Sequence, residues 1–410
     1  MRILVLSFYY PPDLSAGSFR TAALVDELAK RIPKGSRIEV LTTQPNRYSD
    51  YSKKAPVTEE SEALLVHRIA LPSHRSGMID QARAFGVYYH AARRFLRDRH
   101  YDLIIATTSR LMTGFLGART AAKVGCPFYL DIRDIFVDTL TDLFKAKVGR
   151  FLIPMIELLE QYTVRRADQI NLVSPGFVEY FRQKYAIENT DLFTNGIDQE
   201  FLSTCDTGVV QGCDVAPEVK VVLYAGNIGA GQGLESILPE LAKVSGSEYR
   251  FVVVGDGGRR QALQARCEAL KVDNIQLESA VSREALMEYY RQADILFLHL
   301  NDIPAFEKVL PSKLFEYAAL RKPILAGVKG IAADFIRDEI SGSWVFTPCD
   351  HIEAAEQLRE ISTVSDLEQF ERNRFCEEYS RCNIMQQWVT SILNTAGLDQ
   401  PDQRMVLENR

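Results

Sequence analysis

Five stretches of this 410-residue chain place glycines, charges and hydroxyls where a phosphate or a sugar could be held. In EKVLPSKLFEYAALRKPILAG, Pro311 and Ser312 make a good helix opening, with the hydroxyl or nearby N–H groups available to a ligand. Lys313 and Glu316 lie three apart and so share one helical face. Lys313 there could neutralise a phosphate, and Glu316 could accept both hydroxyls of a ribose, since a carboxylate takes paired hydrogen bonds. The same spacing suits an ordinary surface ion pair, and spacing alone favours that plainer reading. In LYAGNIGAGQGLES, Gly226, Gly229, Gly231 and Gly233, with Asn227 and Gln232 among them, precede a helix as a phosphate-cradling loop requires. A glycine turn without a ligand is the alternative. VVVGDGGRR sets Asp256, Arg259 and Arg260 at another helix start, where the arginines meet an anion or, on the favoured plain reading, face solvent.

The first half offers two more such places. FYYPPDLSAGSFR puts Gly17, Ser18 and Arg20 at a helix start, either for close approach of a ligand or simply for the turn. YLDIRDIFVD carries Asp131, Arg133, Asp134 and Asp138 at and beyond a strand end. These charges either wall a cleft or brace the loop, with Asp131 buried against Arg133. From Met78 to His100, Ala82, Phe85, Tyr89, Ala92 and Leu96 recur at helical spacing, and Arg83, His90, Arg94 and Arg97 occupy the other face. That face is a membrane-surface or lipid-pyrophosphate patch, or the solvated side of a core-packed helix; the latter is the commoner case.

Short β-branched runs alternate with helical segments and so position these loops. RILVLSF, RIEVLTT, LLVHRIA, DLIIATT, PFYLDIR and QINLVS fall in the first half, and VKVVLYAG, YRFVVVG, NIQLES, DILFLHL, PILAG and SWVFTP in the second. Helices are expected from Thr21 to Arg31 and from Pro311 to Leu320. Near-continuous apolar strands with amphipathic crossovers imply parallel sheets covered on both faces. Two such series predict an α/β protein of two Rossmann-like domains, matching the length. Ligands bind outside the carboxyl ends of such strands, so two facing sheets would put the chemistry in an interdomain cleft.

The expected division is 1–196, 197–382, and a C-terminal piece, 383–410, returning to the first domain before a frayed tail. The segment up to Pro217 is expected to be a linker. A net charge of −6 argues against nucleic acid as a partner. Seven scattered cysteines without a C-x-x-C pair imply reduced thiols, and the start MRILVL lacks a signal-peptide layout. No uncharged apolar run is long enough to span a bilayer; FLIPMIELL is cut by Pro154 and Glu157. A cytosolic protein is expected, with any membrane contact peripheral.

Together, in order, the segments YYPP…GS-R, LTTQPN, RRADQINLVSPG, TNGID, YAGNIG, VVGDGGRR, EYYRQADILFLHL and PSKLFEY resemble the retaining nucleotide-sugar glycosyltransferases of family 4, which have the GT-B fold. The PSKLFEYAALRKPILAG form looks most like the subgroup of aminosugar transferases that build bacterial O-antigen and capsule. The resemblance implies that Glu316 holds the donor ribose and that Ser312 and Lys313 lie near the donor diphosphate. It sets Gly17 near the donor phosphate or acceptor and Asn195-Gly196 at the hinge. Gly226, Asn227, Gly229, Gln232, Asp256 and Arg259 complete the implied donor set, Ser18, Arg20, Asp131 and Arg133 the acceptor set, and Arg133, Asp134, Lys313 and Glu316 the catalytic set.

The chain departs from the family pattern in three respects, at four positions. Lys308, beside Glu307, stands where the first glutamate of a pair belongs. Asn227 and Gln232 replace Arg and Lys, and Arg133 replaces a histidine. Lys313 and Arg259 are the candidates for the missing positive charge. The implied reaction is front-face transfer from a nucleotide-sugar donor, UDP by the subgroup, to a lipid-linked saccharide on the inner face of the cytoplasmic membrane. No D-x-D occurs, so a metal-independent reaction without cofactor is expected. A nucleotide-sugar epimerase and a non-catalytic binding partner of the same fold are the alternatives.

Overall fold

The computed structural model describes residues 1–45, 55–72, 78–108, 110–138, 149–206, 219–364 and 370–398. Most of the expected linker and nearly all of the expected tail therefore lie outside the described residues. The chain forms two compact units: Met1–Thr194 with Cys382–Arg410, and Asn195–Arg381.

Unit one contains β1 (Arg2–Leu6), α1 (Ala16–Arg31), β2 (Arg37–Thr43), β3 (Thr58–Glu60), β4 (Leu64–Ile69), α2 (Met78–Phe95), β5 (Leu103–Thr107), α3 (Leu111–Val124), β6 (Phe128–Ile132), α4 (Gly149–Arg166), β7 (Gln169–Leu172), α5 (Gly176–Tyr185) and β8 (Asp191–Leu192). Its sheet order is β3-β4-β2-β1-β5-β6-β7-β8, parallel except for β3. The central strands are buried apart from Arg2 at the start of β1, which explains their largely apolar runs; Asp131 in β6 is the polar interruption. The sequence reading missed β3 and β8. β3 is an exposed Thr-Glu-Glu edge, and such polar edges are disfavoured templates for further pairing. Helix α1 starts earlier than the periodicity suggested, because the Ser15 hydroxyl accepts the Ser18 N–H at 3.1 Å and caps it.

Unit two contains α6 (Gln199–Asp206), β9 (Lys220–Ala225), α7 (Leu238–Ser245), β10 (Tyr249–Val254), α8 (Arg260–Leu270), β11 (Ile275–Glu278), α9 (Arg283–Gln292), β12 (Ile295–His299), α10 (Lys313–Ala319), β13 (Ile324–Gly327), α11 (Ile331–Glu339), β14 (Ser343–Phe346), α12 (His351–Thr363) and α13 (Asn373–Glu378). The order β11-β10-β9-β12-β13-β14 is wholly parallel. The last helix, α14 (Arg381–Thr395), puts Ile384, Met385, Trp388, Val389, Ile392 and Leu393 into the core under β1 and β2 of unit one.

Each sheet reverses its winding direction once, between β1 and β5 and between β9 and β12. Loops leaving such neighbouring strands diverge to opposite faces and leave a crevice at the strand carboxyl ends.

Candidate functional site

At the second switch point the loop after β9 is held rigidly. The Gly226 N–H donates to the Val254 carbonyl at 2.8 Å, and the Ile228 N–H to the Asp256 carbonyl at 2.9 Å. The Gln232 side-chain oxygen accepts from Asn227 Nδ2 at 2.8 Å and from the Gly229 N–H at 3.3 Å. A Cβ on Gly255 would overlap the Gly226 carbonyl, and one on Gly257 the Ile228 backbone. The glycines thus let two loops pack backbone to backbone. Several N–H groups that a phosphate cradle would present are used within the protein, and so are the Asn227 and Gln232 side chains.

The charge at this place comes from α10. Tyr317 ties that helix to the end of β9, its hydroxyl accepting the Ala225 N–H at 3.2 Å. One turn earlier, the Lys313 ammonium lies 5.4 Å from the Tyr224 ring centre and sits on Gly226, where any Cβ would overlap it. The backbone at Gly226, with φ of +142°, is one that L side chains rarely adopt, and the lysine end fills the space a Cβ would take. Ser312 precedes the helix, and its side chain makes no capping bond.

Glu316, on the same face, is half-buried. Burial raises its carboxyl above the usual range; Lys313 and Arg283 pull it down, and Asp198 adds to the rise. The buried Tyr290 hydroxyl lies in its field, and burial together with the Glu316 charge raises that hydroxyl's pKa. Behind it, Asp198 accepts from both Arg283 and Arg381. Against the upward push of burial, Arg381 and Arg283 hold the Asp198 carboxyl low. Arg381 also binds the carbonyls of Asn195, at 2.5 Å, and Gly196, at 3.2 Å, which fixes the TNGID turn. Lys313 and Glu316 thus occupy one prepared surface, a cation over a glycine and a carboxylate backed by paired charges.

The remaining donor candidates separate. Arg259, half-exposed at the start of α8, is ion-paired with Glu235, so part of its charge is met within the protein. Its neighbour Arg260 braces the Gly255, Leu277 and Glu278 carbonyls. Asp256 meets the β9 loop through its backbone carbonyl. Glu307 is exposed, on the turn Pro304–Lys308, and its backbone packs on Gly330.

In unit one, Arg20 and Asp131 are corrected as acceptor residues. Both side chains are buried, 3.4 Å apart. Arg20 donates to the carbonyls of Phe193, at 2.7 Å, and Thr194, and lies 4.1 Å over the Trp388 ring. Asn171 Nδ2 completes the network, donating to Asp131 at 2.7 Å. The partner of Asp131 is Arg20, from another element, rather than Arg133. Gly17 and Ser18 are buried in the first turn of α1. Arg133, half-buried just after β6, donates its N–H to the Thr108 hydroxyl at 3.1 Å, and Asp134 is exposed.

Two residues escaped the sequence reading. Arg110 stands at the β1/β5 switch point, its guanidinium 3.0 Å from the Tyr9 hydroxyl. Its place immediately before a helix that follows a central strand was the available signal. His299 ends β12 inside an apolar strand. Its Nε2 accepts the Cys349 N–H at 3.0 Å, so Nδ1 carries the proton and donates to the Gln232 carbonyl at 2.6 Å. Burial lowers its pKa to about 4 and keeps it neutral. Asn301, next along, fastens the same loop through Ala230 and Gly231.

Residues 214–380 match the model for group 1 glycosyl transferases, and residues 17–196 match the glycosyl transferase 4-like domain. The chain is a glycosyltransferase of the GT-B type. The transferase is 26% identical, over 78% of its length and 81% of the relative, to the Escherichia coli (strain K12) protein WcaI, named for colanic acid biosynthesis. Among solved structures it resembles Anabaena Alr3699/HepE in complex with UDP and glucose, with a TM-score of 0.68 at 14% identity, covering 96% of the transferase and 100% of that chain. It also resembles WaaG, a glycosyltransferase involved in lipopolysaccharide biosynthesis, with a TM-score of 0.65 at 16% identity and coverage of 96% and 99%. At those identities the likeness is one of fold. No helix among the transferase's described residues is long and apolar enough to cross a membrane.

Proposed function

We propose that the transferase moves an N-acetylated hexose or deoxyhexose from UDP to a lipid-linked saccharide in bacterial surface-polysaccharide assembly, with retention. The observation that carries this reading is the joint placement of Lys313 and Glu316 on the α10 face at the β9/β12 switch point. An ammonium there stabilises the departing diphosphate, whose charge grows as the glycosidic bond breaks. A carboxylate one turn on takes the paired ribose hydroxyls and fixes the donor's register. Lys313 supplies this charge in place of Arg259 and of a metal. The UDP complex of the Alr3699/HepE structure and the naming of WcaI for colanic acid biosynthesis support the nucleotide and the pathway class. Arg133, Asp134, Gly17 and Ser18 remain the proposed unit-one contribution.

Thermal-shift titration with UDP, GDP and their sugars tests the donor site in the wild type, Glu316→Ala and Lys313→Ala. UDP should stabilise the wild type, and each variant should bind it at least tenfold more weakly, since a hydrogen bond to a charged group is worth about 1.5–3 kcal/mol. Preference for GDP would change the nucleotide. Absence of binding to any nucleotide by calorimetry would remove the donor site altogether. Activity in excess EDTA tests metal independence, and the anomeric configuration of the product tests retention.

A further inference from the structure

One face of unit one has no part in this chemistry. The C-terminal halves of α2 and α3 flank an open groove of about 650 Å³, lined by His90, Arg93, Arg94, Arg97, Arg119 and Lys123, with no carboxylate in its lining. Arg93 lies 5.8 Å from the Tyr89 ring centre, Arg119 lies 5.9 Å from that of Phe115, and Lys123 donates to the Arg97 carbonyl. The partners of Arg93, Arg119 and Lys123 are thus rings and backbone rather than acids. In a chain of net charge −6, such a cluster is not a by-product of composition.

A second observation adjoins the first. On α4, Met155 is 53% exposed, Leu158 66% and Tyr162 42%, at steps of three and four that set them on one helical face. The outer side of a helix that covers a sheet is ordinarily polar. Tyr89 of α2 stacks on Phe115 of α3 at 6.4 Å, and Phe115 meets Tyr162 of α4 edge-on at 5.5 Å. This aromatic row joins the basic groove and the apolar stripe into one surface. An acidic protein would suit the groove alone. A bilayer interface offers both chemistries side by side, charged phosphate above and acyl chains below.

We propose that this face seats the protein on an anionic lipid surface. Phosphate head groups enter the groove, while Met155, Leu158 and Tyr162 enter the boundary between head groups and acyl chains. The inference stands apart from the donor and acceptor assignments, because it uses no residue of the α10 site.

Vesicle flotation of the full chain tests it, with phosphatidylcholine alone and with an equimolar phosphatidylcholine–phosphatidylglycerol mixture. The wild type should float only with the mixture and be released by salt. The triple variant Arg94→Glu, Arg97→Glu, Arg119→Glu should bind about a hundredfold more weakly, from the usual contribution per basic residue. Leu158→Asp, at an exposed position, should weaken binding about tenfold without lowering the melting temperature. Failure of the wild type to float, or equal flotation of the triple variant, would overturn the proposal. So would saturable binding of inorganic pyrophosphate without vesicle binding. A dimer abolished by Leu158→Asp with flotation unchanged would reassign the stripe to self-association.

Discussion

Glu316 concentrates the tension between stability and function in one carboxyl. Burial raises its pKa, so the ionised form is disfavoured in the folded state relative to the unfolded chain. A raised carboxyl pKa favours folding below its unfolded value, and that advantage is lost as pH rises through the folded value. Glu316→Gln should therefore melt higher than the wild type at neutral pH, with the gap closing toward pH 4, while UDP affinity falls. A melting-temperature profile against pH checks this; a variant less stable than the wild type at neutral pH would mean that the charge is structurally useful. The Lys313–Glu316 spacing was legible in the chain, but the Gly226 seat beneath the lysine was not. That seat depends on Tyr317 drawing α10 onto β9, a relation between residues 92 positions apart. Arg20 and Asp131 misled for the same reason. A polar residue at a strand end or helix start looks alike whether it faces a ligand or a buried partner 111 positions away.

Among the elements, the central strands were readable because burial on both faces favours apolar residues, whereas β3 and β8 carry too few of them to announce themselves. The β9 loop announced its glycines but not their use, which is close backbone packing against the β10 loop. His299 was hidden by its setting in an apolar strand, yet it joins the ends of β12, the β9 loop and the Cys349 turn. Protonating Nε2 would set a second donor against the Cys349 N–H. Burial lowers its folded pKa to about 4 from the ordinary imidazole value of about 6.5, so its contribution is complete above about pH 6.5 and is lost as pH falls toward 4. On that shift the wild type should lose about 3 kcal/mol of unit-two stability across the window. His299→Gln should lack this part of the pH dependence in urea titrations. Parallel profiles for the two proteins would show that the ring is not titrating there.

At the scale of the whole molecule, Arg20 connects three distant parts of unit one: α1, the chain at Phe193–Thr194, and Trp388 on α14. Removing a buried charge partner typically costs about 3–5 kcal/mol, because Asp131 would be left without its cation. Arg20→Ala should lower the unfolding transition of unit one and leave that of unit two in place, which calorimetry can resolve. Coincident loss of both transitions would show the units to be energetically inseparable. Unit two is an insertion within unit one, since the chain leaves at Thr194 and returns at Cys382. The two passages are fastened together where the Ile197 N–H donates to the Tyr379 carbonyl and the Arg381 N–H to that of Ile197, both at 2.8 Å. During synthesis, residues 195–381 emerge before α14, so the first unit must wait for a helix made after all of unit two. A nascent chain halted before Trp388 would hold all of unit two and a unit one whose core is still open, with the Arg20 guanidinium lacking its aromatic cover. Helix α14 therefore acts as a completion signal, tying the maturity of the first-begun unit to residues made after the whole of unit two.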